Sequence, residues 1–282
     1  MSLPDLVVTG STGRLGGRVA RRLADAGVAQ RLLVRDPSRA PALPGTEVVQ
    51  ADYGDAGALH RALDGARTVF MVSASESPDR VGQHRTFVDA ATRAGVERVV
   101  YTSFAGAAPD ATFTLGRDHY ATEQLLAESG MAWVALRDNL YLDFLPLMTG
   151  GDGVIRGPAG DGRVAAVAIA DVADVATAVL RRPEEHEGAA YVLTGPEALS
   201  LDEIATQMSE VTGRQVRYER ETVEEAYASR APYGAPDWQV DAWVSTYTAI
   251  AAGEASEVTD HVEQVAGHPP TSLAKLLRGG DA

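Results

Sequence analysis

The 282-residue chain contains no cysteine. This absence excludes disulfide bonds, thiolate zinc sites, iron–sulfur clusters and a cysteine nucleophile, and it is consistent with a cytoplasmic location. Any redox chemistry must therefore use a bound cofactor. Aromatic residues are also scarce, at 6% of the sequence, whereas 45% of the residues are hydrophobic. A chain of this length and composition can bury a substantial core in one large domain or two smaller ones.

Basic residues are few as well, with 25 lysines and arginines against 39 acids and a formal net charge of −14. Nucleic acids and anionic membranes draw their affinity from lysine and arginine, so we expect neither as a partner. The sequence has no long uninterrupted apolar run, and MSLPDLVVTGSTG has no basic segment before an apolar one. We therefore expect no transmembrane helix and no secretory signal.

Short apolar runs alternate with segments of helical spacing through the first half of the chain. Each run is typical of a strand buried on both faces, and glycine ends each helical segment. This alternation predicts an α/β fold, a Rossmann-like doubly wound parallel sheet. The expected strands are residues 5–9, 31–35, 47–50, 68–73, 98–103 and 133–137, and the expected helices are residues 16–26, 56–63, 81–94 and 117–129.

The rhythm changes in the second half. Residues 149–162 contain six glycines and predict a loop outside the sheet. A helix is expected at 171–180, and a strand at 189–194 that returns to the sheet. From residue 195 onward the pattern is mostly helical, at residues 200–212, 222–231 and 236–252. The first of these helices opens with Ser200 and has Glu203 three positions later, which predicts a capping box. We predict a NAD(P)-binding domain at 1–148, to which 164–194 return, and a smaller, mostly helical substrate lobe formed by 149–163 and 195–282.

The glycine-rich sequence VTGSTGRLGG lies between the first predicted strand and the first predicted helix. Gly10 permits a tight turn, Gly13 lets the backbone approach a pyrophosphate, and Gly16 lets helix and strand pack closely. The helix N-terminus then directs free N–H groups at the anion. The alternative is a tight turn without a ligand. The expected cofactor contacts in this loop are Gly10, Ser11, Thr12, Gly13, Arg14, Leu15 and Gly16.

The end of the second predicted strand favours one dinucleotide. An acid at this point binds the ribose of NAD, whereas a cation accepts the extra phosphate of NADP. The strand ends in Arg35, and Arg14 adds a second positive charge. NADPH is therefore expected, with NADH bound more weakly. The alternative is that Arg35 pairs with Asp36, or that Asp36 takes the ribose.

Further cofactor contacts are expected where other strands end. Asp52 and Tyr53 follow the third strand and are expected to flank the adenine, and Val72 and Ser73 follow the fourth. These assignments rest on topology, and either segment can be an ordinary loop. At the end of the fifth strand, the hydroxyls of Tyr101, Thr102 and Ser103 are placed for the nicotinamide ribose, with strand-end capping as the alternative.

Together with these landmarks, five further motifs carry a resemblance over nearly the full chain: VRDPSRA, QADYGD, GQHRTFVDAATRAGVERVVYTS, ALRDNLYLDF and AIAAGEASEVTDHVEQVAGHPPTSL. The sequence resembles the NmrA-like branch of the atypical short-chain dehydrogenase/reductase superfamily. Within that branch it is most similar to the NADPH:quinone oxidoreductases of the second type and to triphenylmethane reductases. The resemblance implies a Rossmann domain with a helical lobe, NADPH as cofactor, and a quinone or flat conjugated aromatic acceptor.

One departure concerns the catalytic pair of ordinary short-chain dehydrogenases, Tyr-x-x-x-Lys. The corresponding segment here has Tyr120 followed four positions later by Gln124. Without the lysine, the phenol is a poor proton relay at neutral pH. Tyr120 and Ser103 are nevertheless both candidate catalytic residues. His119 matches a recurrent histidine of the resembled enzymes and is the other candidate on this segment, as an orienting donor or proton source. A surface histidine is the alternative.

A second departure lies after the sixth strand, where the resembled enzymes typically have asparagine and this chain has Asp138. Asp138 is a candidate catalytic residue, and Asn139 can take over the amide contact. Tyr141 and Phe144 are expected to form an apolar wall for the acceptor, unless they belong to an ordinary core face. The histidines form no ligand spacing, so no metal site is expected. Some of the four aromatic residues of the helical lobe can close the pocket, with ordinary packing as the favoured alternative for each: Tyr227, Tyr233, Trp238 and Trp243.

These observations favour an NADPH-dependent oxidoreductase that passes hydride to a quinone-like or conjugated aromatic acceptor. The missing lysine keeps open a second class, a non-catalytic regulatory protein that binds NADP and senses redox state. A third alternative is a biosynthetic reductase or isomerase with its own substrate. The sequence leaves open whether the protein is a monomer or a homodimer.

Overall fold

The structure is a computed structural model that describes residues 4–279. In the first half of the chain, most strands are followed by a helix. The strands are β1 Leu6–Thr9, β2 Gln30–Val34, β3 Thr46–Gln50, β4 Thr68–Met71, β5 Arg98–Phe104, β6 Ala132–Asp138, β7 Val154–Gly157, β8 Arg163–Val164, β9 Ala190–Leu193, β10 Leu199–Ser200 and β11 Arg217–Arg220.

The eight helices expected from the sequence are present, with shifts of a few residues at their ends, and two short helices beyond residue 260 were not predicted. The helices are α1 Arg14–Asp25, α2 Ala56–Leu63, α3 Arg80–Arg93, α4 Thr114–Glu128, α5 Ile169–Arg181, α6 Leu201–Thr212, α7 Val223–Arg230, α8 Asp237–Ala251, α9 His261–Ala266 and α10 Leu273–Leu277. Short 3₁₀ helices cover Pro37–Arg39, Leu142–Met148, Pro183–His186 and Ala231–Tyr233. Within residues 4–279, no helix combines the length and hydropathy needed to cross a membrane.

Seven strands form one sheet in the order β3-β2-β1-β4-β5-β6-β9. The pairs from β3 through β5 are parallel, with Val8 of β1 opposite Leu32 of β2 on one side and Phe70 of β4 on the other. Since the chain winds outward from β1 in one direction and then from β4 in the other, the strand order reverses between these two strands. The predicted Rossmann-like doubly wound sheet is confirmed, including the return of the strand near residue 190.

The chain divides into two compact units. The first contains residues 4–103, 120–136 and 172–191, and the second contains 104–119, 137–171 and 192–279. Residues 104–119 and 137–148 therefore group with the second unit, although the sequence suggested them for the nucleotide domain. Their partners are distant in sequence: the Thr112 N–H donates to the Glu254 carboxylate, and the Asn139 amide donates to the Ala255 carbonyl.

The core of the first unit lies between its strands and helices. Leu15, Val19 and Leu23 are spaced by four residues along α1 and are all buried, so this face of the helix packs against the strands. Arg31 on β2 is fully buried and donates to the carbonyls of Ala62 and Asp64 at the end of α2. The Arg31 side chain therefore joins β2 to the end of α2. The sequence pattern did not predict this contact.

The second unit has its own core and two small sheets. β7 pairs in parallel with β11, and β8 pairs antiparallel with β10. Residues 149–162 lie outside the seven-stranded sheet as predicted, but the prediction that they form only a loop was wrong. Val154–Gly157 form β7, and Val154 and Ile155 are buried. Their partner strand lies about 60 residues away, so the pairing leaves no local sequence signal. The predicted capping box is confirmed at α6, where Ser200 and Glu203 bond reciprocally to each other's backbone N–H groups.

Candidate functional site

The glycine loop joins β1 to α1 and has the tight geometry expected from its spacing. Gly10 adopts a φ of +62°, which favours glycine, and its carbonyl accepts from the Gly13 N–H at 2.9 Å. A Cβ on Gly16 would lie 2.4 Å from the Gly10 oxygen, so only glycine lets α1 approach the loop this closely. Gly13 caps α1 without a side-chain hydrogen bond, and the first turn contains no acid. The helix N-terminus therefore keeps its positive end available to an anion.

A cleft of about 370 Å³ opens along this loop. It is bordered by the ends of β2, β3 and β4 as well as by the loop itself, as expected for a site at the carboxyl edge of a doubly wound sheet. Eleven of the fourteen residues expected to bind the cofactor line it: Gly10, Thr12, Gly13, Arg14, Leu15, Gly16, Arg35, Asp52, Tyr53, Val72 and Ser73.

The remaining three expected residues lie elsewhere. Ser11 and Tyr101 are buried and do not line the cleft, and Tyr101 packs its ring edge-on against His84. Thr102 is buried as well, and its hydroxyl accepts from the Ser73 N–H at 2.8 Å. Thr102 therefore supports the wall of the cleft rather than forming its surface.

Part of the cleft wall was not predicted from the sequence. The segment after β4 continues along the cleft well beyond Ser73, and a side chain from α3 joins it. Its signal was present as SASES, a run of small polar residues directly after a buried strand, which fits backbone close to a ligand. The missed lining residues are Leu33, Val34, Ala51, Ala74, Ser75, Glu76, Ser77 and Gln83.

The Arg35 side chain is exposed and forms no ion pair within the described residues 4–279. Asp36, the neighbour that might have neutralised it, instead accepts from both the N–H and the hydroxyl of Ser38. These hydrogen bonds lower the pKa of Asp36. Arg14 also lines the cleft, whereas Arg39 does not. Arg35 thus presents a guanidinium at the rim that matches a phosphate group.

Tyr53 lines the cleft, but its hydroxyl faces the sheet. It donates one hydrogen bond, to the Thr9 hydroxyl or to the Val72 carbonyl, and lies 2.7 Å from each oxygen. Burial raises the pKa of this phenol. Tyr53 therefore anchors the segment after β4 and presents only its ring to the cleft.

The candidate catalytic residues of the helix α4 region have different surroundings. Ser103 is buried and donates to the Glu123 carboxylate at 2.6 Å, so its hydroxyl is oriented by a neighbouring acid. Tyr120 is half-buried. His119 is buried, and its ring lies 6.0 Å from the Phe104 ring.

Asp138 ends β6 in a buried position. One of its carboxylate oxygens accepts from the Tyr141 hydroxyl at 2.7 Å, and the other has no hydrogen-bond partner within residues 4–279. Burial raises the pKa of Asp138 to about 8, although the bond from Tyr141 lowers it. The carboxyl group is therefore largely protonated at neutral pH.

A second cleft, of about 780 Å³, lies entirely within the second unit. The rings of Tyr141 and Phe144 form one side, edge to face at 5.6 Å. Arg156 and Arg230 also line it, but Arg156 pairs with an aspartate at 2.7 Å and Arg230 with a glutamate at 3.0 Å. The other lining residues are mainly apolar or aromatic: Leu140, Leu145, Leu147, Met148, Gly150, Val154, Ser229, Tyr233, Trp243, Thr246 and Tyr247.

Asn139 is absent from the lining of this cleft. It is buried, its amide donates to the Ala255 carbonyl at 3.0 Å, and its carbonyl accepts from the Leu140 N–H at 2.7 Å. Both polar atoms of the side chain are therefore used inside the unit.

The strand order, the reversal between β1 and β4 and the glycine loop at that reversal define a Rossmann-like domain with a cradle for an anionic ligand. A model of the NmrA-like family matches residues 4–236. The chain belongs to the NmrA-like family, and the family expected from the sequence is confirmed.

Relatives extend over almost the whole chain. It is 34% identical over 279 residues to quinone oxidoreductase 2 of Escherichia coli strain K12, covering 96% of this chain and 97% of that protein. It is 38% identical over 271 residues to (4-alkanoyl-5-oxo-2,5-dihydrofuran-3-yl)methyl phosphate reductase of Streptomyces griseus, covering 94% and 93%. The solved structure of Citrobacter sp. triphenylmethane reductase complexed with NADP(H) is similar at 30% identity, with a TM-score of 0.87 and coverage of 98% and 99%.

Proposed function

We propose that the protein is an NADPH-dependent oxidoreductase that transfers hydride to a quinone-like or conjugated aromatic acceptor. The observation that carries the proposal is the cleft at the glycine loop, with an unneutralised Arg35 at its rim. The names of the relatives support it, since they include a quinone oxidoreductase and a dye reductase with bound NADP(H).

The residues of the first cleft fit this cofactor. A side chain at Gly16 would occupy the space next to the Gly10 oxygen, and the N–H groups that begin α1 have no side-chain cap. These N–H groups would bind the pyrophosphate, and Arg35 would bind the 2′-phosphate through parallel N–H bonds. When bound, NADPH supplies the hydride of the reaction.

We propose the aromatic cleft of the second unit as the acceptor site. Its walls include the rings of Tyr141, Phe144 and Trp243, which suit a flat apolar molecule. Arg156 and Arg230 are each paired with an acid, so neither offers an unbalanced positive charge to the ligand. A conjugated ring without phosphate groups fits this lining better than a phosphorylated substrate.

The acceptor class also suits the chemistry that the side chains can supply. The chain has a single lysine, Lys275, so no lysine can stand four positions after Tyr120. The Ser103 hydroxyl is bonded to Glu123. Hydride transfer to a quinone gives a delocalised hydroquinone anion, and hydride transfer to a triarylmethane cation gives a neutral product that takes up no proton. Neither acceptor therefore needs a strong proton relay. The contribution of the protein is to position the acceptor and exclude water.

Three side chains are proposed to assist the reduction. Asp138 holds a proton at neutral pH and is bonded to Tyr141, a residue of the acceptor cleft. This pair can deliver the proton that a quinone takes up after the hydride. His119 is proposed as an orienting donor.

The test is steady-state oxidation of NADPH with a panel of benzoquinones, naphthoquinones, triarylmethane dyes and dihydrofuranones, repeated with NADH. We expect turnover with the first three classes and a lower kcat/KM with NADH. Tight NADPH binding without turnover above the uncatalysed rate on any acceptor would contradict the proposal. That result would favour a regulatory protein that binds the dinucleotide without reducing a substrate.

A further inference from the structure

The segment after β4 forms one wall of the nucleotide cleft, from Val72 to Ser77. Side chains from other elements bond its backbone. The Val72 N–H donates to the Thr9 hydroxyl at 2.8 Å, and the Ser73 N–H donates to the Thr102 hydroxyl at 2.8 Å. The position of this wall therefore depends on side chains that do not themselves face the ligand.

Ala74 is the next residue along the wall, and both of its backbone polar groups are bonded by α3. Its N–H donates to His84 Nε2 at 2.9 Å, and its carbonyl accepts from Arg80 Nε at 2.9 Å. His84 is fully buried. The imidazole therefore links the core of the first unit directly to the backbone of the cleft.

The hydrogen bonds of His84 require one tautomer. Because Nε2 accepts from Ala74, the ring proton must reside on Nδ1, which donates to the Thr122 hydroxyl at 2.7 Å. Burial, together with the positive charge of Arg80, lowers the pKa of His84 to about 3. The ring is therefore neutral over the pH range in which such proteins are assayed, and it remains an acceptor for Ala74.

We propose that His84 is a positioning residue for the cofactor, which holds the Ala74 backbone in the conformation that binds the dinucleotide, with Thr122 selecting the required tautomer. The inference rests on the proposed NADPH site. Without the acceptor, the partly buried Ala74 N–H loses its partner and the wall samples other conformations. Since only the held conformation binds cofactor, the apparent affinity falls by the fraction of molecules that leave it.

The test compares two substitutions of the same residue. H84F keeps a ring of similar size but removes the acceptor, whereas H84Q places an amide oxygen near the former Nε2. We expect H84F to raise the Kd for NADPH about three- to tenfold, because the partly buried Ala74 N–H is left without its acceptor, and H84Q to restore most of the affinity. Amide hydrogen exchange at Ala74, measured without cofactor, should accelerate in H84F and remain slow in H84Q.

The matched control is V88A, which removes a buried side chain from the same helix without touching the wall. It should lower the melting temperature and leave the Kd for NADPH unchanged. If His84 has a purely structural role, H84F will also lower the melting temperature and leave the Kd for NADPH unchanged, and this result would overturn the proposal. An equal rise of the Kd for NADPH in H84F and H84Q would overturn it as well.

If H84F does not fold, T122V and T122S provide the same comparison, since only serine keeps a hydroxyl for Nδ1. T122V should then raise the Kd for NADPH, and T122S should restore it, and equal Kd values for both would overturn the proposal. Failure of the wild-type protein to bind NADPH would contradict the proposed function instead, and the Ala74 exchange rates would still test the hydrogen bond.

Discussion

Two exposed arginines stand four residues apart after β2, and they differ in one respect. Arg35 lines the nucleotide cleft, whereas Arg39 does not. Replacing Arg35 with alanine should raise the Kd for NADPH roughly 10- to 100-fold, since hydrogen bonds to a charged phosphate are worth about 1.5–3 kcal/mol. The Kd for NADH should change little. Fluorescence titration with both cofactors measures the two values.

R39A is the control for R35A, because it removes the same charge from the same exposed segment. It should leave both Kd values nearly unchanged. Equal losses of NADPH and NADH affinity in R35A would remove the assignment of Arg35 to the 2′-phosphate.

Asp138 links the protonation of one buried group to the stability of the fold. Its pKa rises from the ordinary 3.8 to about 8 in the folded protein. At pH values between these two pKa values, the protein takes up a proton when it folds. As the pH rises through this range, the free energy of unfolding therefore falls by up to about 1.4 kcal/mol per pH unit. Below about pH 4 Asp138 is protonated in both the folded and the unfolded protein, so it causes no loss of stability. Above about pH 8 it is ionised in both, and the loss of stability stays constant.

D138N should remove this dependence, because an amide does not titrate. Urea unfolding of the wild type and D138N at pH 5 and pH 8 gives the difference in unfolding free energy. We expect D138N to gain stability relative to the wild type at the higher pH. If the unfolding free energies of the two proteins change equally between pH 5 and pH 8, the pKa of Asp138 is not raised in the folded protein.

At the scale of elements, the contact between β1, the glycine loop and α1 excludes any side chain at Gly16. G16A places a Cβ 2.4 Å from the Gly10 oxygen and forces the helix away from the loop. We expect a loss of about 1–3 kcal/mol of stability, as for other overpacked sites, and loss of measurable NADPH binding. Thermal unfolding and cofactor titration measure the two effects.

Gly57 provides the comparison, because a Cβ at this helical position would meet its neighbours at an ordinary 3.5 Å. G57A should stabilise the protein by up to about 1 kcal/mol and leave NADPH binding intact. If G16A binds NADPH as well as G57A does, the close approach of α1 is not required for the cradle.

The elements that the sequence predicted are those whose signals are local. Buried strands read as runs of valine and leucine, and the capping box at Ser200 needs only four consecutive residues. β7 and β11 could not be predicted in this way, since each is a four-residue strand whose partner is about 60 residues away. Pairing at that distance depends on tertiary packing, which the local pattern does not contain.

The same distinction applies to the site. The glycine loop and Arg35 were identified because their roles follow from their place in the strand order. Tyr101, by contrast, was expected to contact the ligand but lies in the core. The sequence at the end of a strand does not show whether a side chain points toward the ligand or into the core. The bond from Ala74 to His84 joins two elements, so it became visible only in three dimensions.

At the scale of the whole molecule, each unit contains one of the two clefts described above. The proposed sites therefore predict that cofactor binding and acceptor binding can be changed separately. Phe144 is 42% exposed and lines the aromatic cleft. F144A should raise the KM for a naphthoquinone about tenfold through loss of buried ring contact, at little cost to stability. The Kd for NADPH should be unchanged.

Tyr227 is the control aromatic residue, with 41% exposure in the same unit but no place in the lining of the cleft. Y227A should leave the KM for the quinone unchanged. If F144A and Y227A behave alike, the acceptor binds somewhere other than the aromatic cleft.

The first unit is assembled from three separated stretches of chain, which has a consequence for its synthesis. β5 is complete at Phe104, but its neighbour β6 begins only at Ala132 and the edge strand β9 only at Ala190. A nascent chain that has just exposed β5 to the cell therefore presents an unpaired, valine-rich strand edge, the kind of surface that pairs with other chains. Until β6 has also emerged, we expect this strand edge to be the part of the growing polypeptide most prone to aggregation.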